Sequence, residues 1–127
     1  PTESYLDKHH ATAFGRYKTT PESNHVPYFK PQENGSHYGC REVKVVNSSD
    51  CVTVQSHTPF SMNVSPYSQE ELGSKKHQYD LEKSGSTILC VDYKMSGVGS
   101  NSCGPALKAQ YRLNETEWDW SILLQIK

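Results

Sequence analysis

The stretch "TILCVDYKM", residues 87–95, places Leu89, Val91, Tyr93 and Met95 at every second position. A period of two puts those four side chains on one side of an extended chain and their neighbours on the other, as in a strand with one buried and one wet face. Working outward, the same alternation recurs. Val43 and Val45 alternate with Glu42 and Lys44 in "REVKVV", and Val52 and Val54 share a side in "CVTVQ". Phe60, Met62 and Val64 alternate with Ser61 and Asn63 in "FSMNV". Downstream, Leu107, Ala109, Tyr111 and Leu113 alternate in "ALKAQYRL", and Trp118, Trp120, Ile122, Leu124 and Ile126 in "EWDWSILLQI". One-sided strands belong to antiparallel sheets. The expected fold is all-β, an antiparallel β-sandwich, with one short helix. That helix is read from Ser68-x-x-Glu71, a capping box, and Gly73 limits it to about two turns. Residues 1–39, punctuated by Pro21, Pro27, Pro31 and Gly35, read as largely extended loop.

Bulk properties narrow the function. The 127 residues suit one domain, and the formal net charge of −1 lacks the basic excess of a nucleic-acid module. Apolar content of 34% and a mean hydropathy of −0.76 are lean for a filled core. No run approaches the about 18 apolar residues of a membrane span. The four cysteines (Cys40, Cys51, Cys90, Cys103) form no C-x-x-C and resemble no zinc site, so free thiols in a reducing cytosol are expected. Asn34, Asn47, Asn63 and Asn114 each open an N-x-S/T triplet, a pattern frequent by chance in a chain this rich in Ser and Asn.

The bend "GVGSNSCGP", residues 97–105, lies between two alternating segments. A dinucleotide fingerprint requires strand, loop and then helix, and Ser102 stands where its third glycine would be. No Lys-Ser/Thr follows for a P-loop, and no histidine in the bend could activate Cys103. A structural connector is the plain reading.

The stretch "VDYKMSGVGSNSCGPALKAQYRL" resembles the C-terminal end of the large bacterial and yeast β-galactosidases of glycoside hydrolase family 2. "PTESYLDK", "YFKPQENG", "GCREV" and "PFSMNVSPYSQEELGSKKHQYDL" follow the family's order, so the resemblance covers nearly the whole chain. It implies that residues 1–127 are the C-terminal portion of the final domain, a supersandwich related to the galactose mutarotase fold and cut within that domain. Strands after residue 40 would then lack partners, expose apolar surface and self-associate in isolation. The resemblance further implies cytoplasmic hydrolysis of β-galactosides such as lactose, within a homo-oligomer. The catalytic glutamates and magnesium would lie in a separate domain, leaving this chain with no catalytic residue, no metal and no activity of its own. The bend would line the active-site mouth. Cys103 stands where many members place an aromatic platform for the sugar, and Asn101 and Ser102 are candidate polar contacts.

Competing features are expected to be structural. Trp118 and Trp120 share a face with Ile122 and Leu124 and are expected in the core. Glu70, Glu71, Glu115, Glu117 and Asp119 are expected to be solvated, and His9 and His10 point apart. His37 is expected to be structural or solvated, and His77 hydrogen-bonded and structural. The alternatives are a free-standing carbohydrate-binding sandwich and a secreted, disulfide-linked adhesion module.

Overall fold

The computed structural model describes residues 12–27, 35–96 and 106–127. Its centre is a long hairpin, β1 (His37–Val46) and β2 (Cys51–Ser65), paired antiparallel. The turn is closed by Asn47, whose Oδ1 accepts from the N–H groups of Ser49 (2.8 Å) and Asp50 (2.7 Å), an Asx turn. β3 (Ile88–Asp92) pairs antiparallel with the second half of β2, and β4 (Leu123–Ile126) with its first half. The result is an open four-stranded antiparallel sheet in which β2 is central. This is the expected all-β class, and it is consistent with one layer of a sandwich.

Directly opposed residues share a face, so the register reveals how the alternation is used. Val43, Val54 and Leu124 form one row across three strands; Val45, Val52 and Ile126 form the next. Glu42, Gln55 and Leu123 lie on the other side. Val43, Val54 and Phe60 make the buried cluster, with Cys40, Val45, Met62, Leu89, Val91 and Trp120 packed against it.

β2 is not regular. Between the pairs Cys40–Phe60 and Glu42–Gln55, β1 advances two residues and β2 five. The three extra residues form a bulge that includes Pro59, which has no N–H to give to a ladder. Pairing resumes beyond it, so "CVTVQ" and "FSMNV" are one strand.

Several expectations are corrected. "ALKAQYRL" forms no strand; it contains a single 3-10 turn, Ala109–Tyr111. In "EWDWSILLQI" only Leu123–Ile126 is strand, so Trp118 and Trp120 are not placed by alternation. Trp120 packs on the core, whereas Trp118 is 56% exposed and lies outside it. β1 begins at His37, inside the segment expected to be loop. The face of β2 expected to be wet is buried at Ser61, Asn63 and Ser65. Asn24 and Ser36 bond to the backbone of this part of β2: Asn24 Nδ2 donates to Val64 O (3.2 Å) and Ser36 Oγ to Met62 O (3.3 Å).

The helix at Ser68 is present as α2 (Gln69–Ser74), and Ser68 Oγ accepts from Glu71 N at 3.1 Å. The Glu71 carboxylate turns elsewhere, accepting from Glu82 N (2.8 Å) and pairing with Lys75 (3.5 Å). A further one-turn helix, α1 (Pro21–Asn24), stands where extended loop was expected: Thr20 Oγ1 accepts from Ser23 N at 3.1 Å, and proline fills the first helical position.

Candidate functional site

Asn101, Ser102 and Cys103 lie outside the described residues, as do His9 and His10. What the structure does define is the pair of stems from which the bend departs. β3 ends at Asp92, and no ladder among the described residues holds the next ones. Tyr93, Lys94 and Met95 are instead held by their side chains, each by a different segment.

The Tyr93 ring sits 5.7 Å from that of Trp120, tilted by 53°, and Trp120 sits 6.5 Å from Phe60. This aromatic series is anchored at the β2 bulge, where Trp120 Nε1 donates to Ser56 Oγ (3.2 Å) and Ser56 Oγ donates to Ser121 O (2.9 Å). Lys94 Nζ donates to Glu115 Oε1 at 2.5 Å and lies 4.9 Å from the centre of the Tyr93 ring. Their hydrogen bond raises the Lys94 pKa and holds the Glu115 carboxyl below its ordinary value. Met95 Sδ accepts from Ser36 Oγ at 3.5 Å, and Ser36 is fully buried. On the far stem, Arg112 Nε donates to Leu107 O (2.6 Å) just beyond the 3-10 turn. Sequence patterning missed these ties because each is made by a coil residue, outside any strand or helix period. The signal it did carry was charge: Lys94 and Glu115 bracket the bend.

A carboxyl that serves as a general acid needs a pKa raised toward neutrality. Glu42, Glu70 and Glu115 shift the other way, first by hydrogen bonds from Gln55, from the Glu70 backbone and from Lys94 respectively. Asp92, at the end of β3, is raised by burial. Among the described residues no group of three His, Cys, Asp or Glu side chains could hold a metal ion. Cys40, Cys51 and Cys90 are free thiols. No helix among the described residues is long and apolar enough to cross a membrane.

Three of the described histidines contact other parts of the fold. His37 Nε2 meets Asn24 Oδ1 at 2.6 Å, and Asn24 Nδ2 donates to Gly35 O at 2.6 Å, so a buried amide ties α1 to the start of β1. His77 stacks on Tyr79, centroids 5.0 Å apart. His25 packs on Tyr67, also at 5.0 Å, with Nε2 buried and without a partner among the described residues.

Residues 1–124 match the family described as the beta galactosidase small chain. Relatives named beta-galactosidase include one from Actinobacillus pleuropneumoniae, 59% identical over 116 residues, covering 91% of this chain and 11% of the relative. One from Staphylococcus xylosus is 38% identical and covers 98% of this chain and 13% of the relative. One from Kluyveromyces lactis is 33% identical, with 94% and 12% covered. The chain thus spans 11–13% of the length of these relatives. The order of motifs, the antiparallel sheet and these matches converge: the chain belongs to the beta galactosidase small chain family.

Proposed function

We propose that this chain is the C-terminal portion of the last domain of a retaining β-galactosidase of glycoside hydrolase family 2. Its substrates are terminal β-D-galactosides such as lactose, and its setting is cytoplasmic lactose metabolism. The domain is a mutarotase-like supersandwich within a homo-oligomer. The chain supplies scaffold and one bend at the active-site mouth, residues 97–105, in which Cys103, Asn101 and Ser102 face the sugar. The catalytic carboxylates and the magnesium belong to other domains of the same enzyme. The observation that carries this reading is the match of residues 1–124 to the family, with relatives named beta-galactosidase spanning nearly all of the chain.

Two measurements test it. The purified chain is expected to leave a chromogenic β-galactoside intact, and turnover would refute the assignment of chemistry to other domains. In the complete enzyme, Cys103→Trp restores a ring face at the mouth. A stacking contact contributes about 0.5–1.5 kcal/mol, so KM is expected to fall about two- to tenfold. An unchanged KM removes Cys103 from the sugar.

A second reading, a free-standing carbohydrate-binding sandwich, is favoured by one feature, the 56% exposed Trp118. It requires the isolated chain to show tryptophan quenching by galactose or lactose. The first reading expects none.

A further inference from the structure

Among the described residues the sheet has two open sides, and they are built differently. β1 forms one. It carries exposed Arg41, Glu42 and Lys44, and its ladder is interrupted on both sides of Cys40, beside Gly39 at φ +70°. Charge and irregular backbone keep a strand edge from pairing with another strand. β4 forms part of the other side. Leu123, Leu124, Gln125 and Ile126 include no charge and no proline, their register is regular, and all four residues are exposed. Leu124 and Ile126 lie on the core face and Leu123 on the reverse, so β4 is apolar on both faces. A short apolar run of that kind is the pattern of a strand enclosed within a sheet rather than one at its margin.

The ladder also fixes which backbone groups are spare. Cys51 and Lys127 exchange both N–H···O bonds, at 2.8 and 3.0 Å. Hydrogen-bonded and non-bonded pairs alternate along an antiparallel ladder. Thr53–Gln125 and Gln55–Leu123 are therefore bonded pairs, whereas Val52–Ile126 and Val54–Leu124 are not. The N–H and C=O groups of Leu124 and Ile126 thus point away from β2, toward the open side.

We propose that the open side of β4 is a strand-pairing site and that its occupant is an extended segment from the rest of the enzyme. This rests on the reading of the chain as part of a β-galactosidase. The chain spans 11–13% of the length of its relatives, so most of such an enzyme lies outside it and can supply the strand. A second copy is the poorer occupant. It would extend the edge with another β4 exposed on both faces, and would cover neither Leu123 nor Leu124 and Ile126.

Hydrogen exchange resolved to single amides tests it, on the isolated chain and on the complete enzyme. In the isolated chain Leu124 and Ile126 are expected to exchange faster than Gln125, whose N–H faces β2. In the complete enzyme both are expected to slow by about a hundredfold or more. Lys44, whose N–H points out from β1 by the same alternation, is expected to exchange freely in both. Fast exchange of Leu124 and Ile126 in the complete enzyme overturns the proposal, and slowing of Lys44 as well overturns the distinction between the two sides on which it rests. Slow exchange already in the isolated chain assigns the site to a segment of this chain if it survives dilution, and to a second copy if it does not; either overturns the proposed occupant. Hydrolysis of a nitrophenyl β-galactoside by the same complete protein is measured alongside. With hydrolysis present, missing protection refutes the pairing alone. With hydrolysis absent, the enzyme reading fails and takes the proposed occupant with it.

Discussion

The two ends of β2 carry the same alternating pattern and meet different surroundings. At the C-terminal end, Phe60 is 1% exposed; Trp120 lies over it, Met62 and Val91 are opposed on neighbouring strands, and buried Asn24 and Ser36 bond to the β2 backbone. At the N-terminal end the row Val45–Val52–Ile126 continues the same apolar face, yet Ile126 is 72% exposed. Leu124 sits directly opposite the buried Val54 and is still 54% exposed. The difference teaches that alternation assigns a residue to a face, and that burial then depends on whether a second element reaches that face.

The comparison breaks most visibly on truncation. Phe60→Ala removes a side chain enclosed on all sides and is expected to lower the unfolding free energy by about 3–5 kcal/mol. Ile126→Ala in the same chain is expected to lower it by less than about 0.5 kcal/mol. Urea denaturation read by tryptophan fluorescence measures both, and equal losses would show that the two ends are covered alike. Repeating Ile126→Ala in the complete enzyme sharpens the point: there, a loss of core size would mean that another part of the enzyme closes over this end.

A smaller effect separates two glycines that share a backbone conformation. Gly35 has φ +66° and Gly39 φ +70°, both in the left-handed region. A Cβ on Gly35 would stand 2.3 Å from Asn24 O and 2.7 Å from Asn24 Nδ2, inside the amide network on the covered half of β2. A Cβ on Gly39 would meet nothing within 4 Å. Gly39→Ala is therefore expected to cost only the backbone strain, about 1 kcal/mol, and Gly35→Ala about 3 kcal/mol, at the upper end for such sites. Thermal unfolding of the two variants measures the gap, and equal shifts would show that Asn24 moves aside freely.

The strands were legible where a partner strand shares their period, as in Val43–Val45, Val52–Val54 and Leu89–Val91. "ALKAQYRL" carries the same alternation and is coil with a 3-10 turn, because no strand pairs with it among the described residues. Ser61 and Asn63 read as wet because they are polar, yet both are buried, and Asn24 and Ser36 bond to the neighbouring β2 backbone, a contact between segments that no local pattern encodes. The Ser68 cap was legible because it is local. At the site, Asn101, Ser102 and Cys103 came from family likeness, while the pairing of Lys94 with Glu115 and the Trp120–Ser56 anchor emerged only from the folded chain.

The smallest expected effect concerns His25, beside the amide network at the covered end. Its backbone N–H donates to Glu22 O at 3.3 Å, its ring packs on Tyr67, and burial lowers its pKa from 6.5. The folded state thus binds a proton less readily than the unfolded chain. Above about pH 6.5 both forms are neutral and the packing contribution is fully present. As the pH falls below 6.5 the unfolded chain takes up the proton first, and stability is lost until the folded pKa is passed. Asp92 has the opposite sign: burial raises its pKa from 3.8, so its contribution is lost as pH rises, in a window that opens near 3.8. The lowered Glu42, Glu70 and Glu115 act below 4.5. Between pH 7.5 and 5.5, a loss of stability on acidification therefore points to His25 among these shifted groups. His25→Phe preserves a ring against Tyr67 and removes the titration. Urea midpoints for the parent chain are expected to decline across this range more steeply than those of the variant, and parallel declines would show that the imidazole is protonated as readily in the fold as outside it.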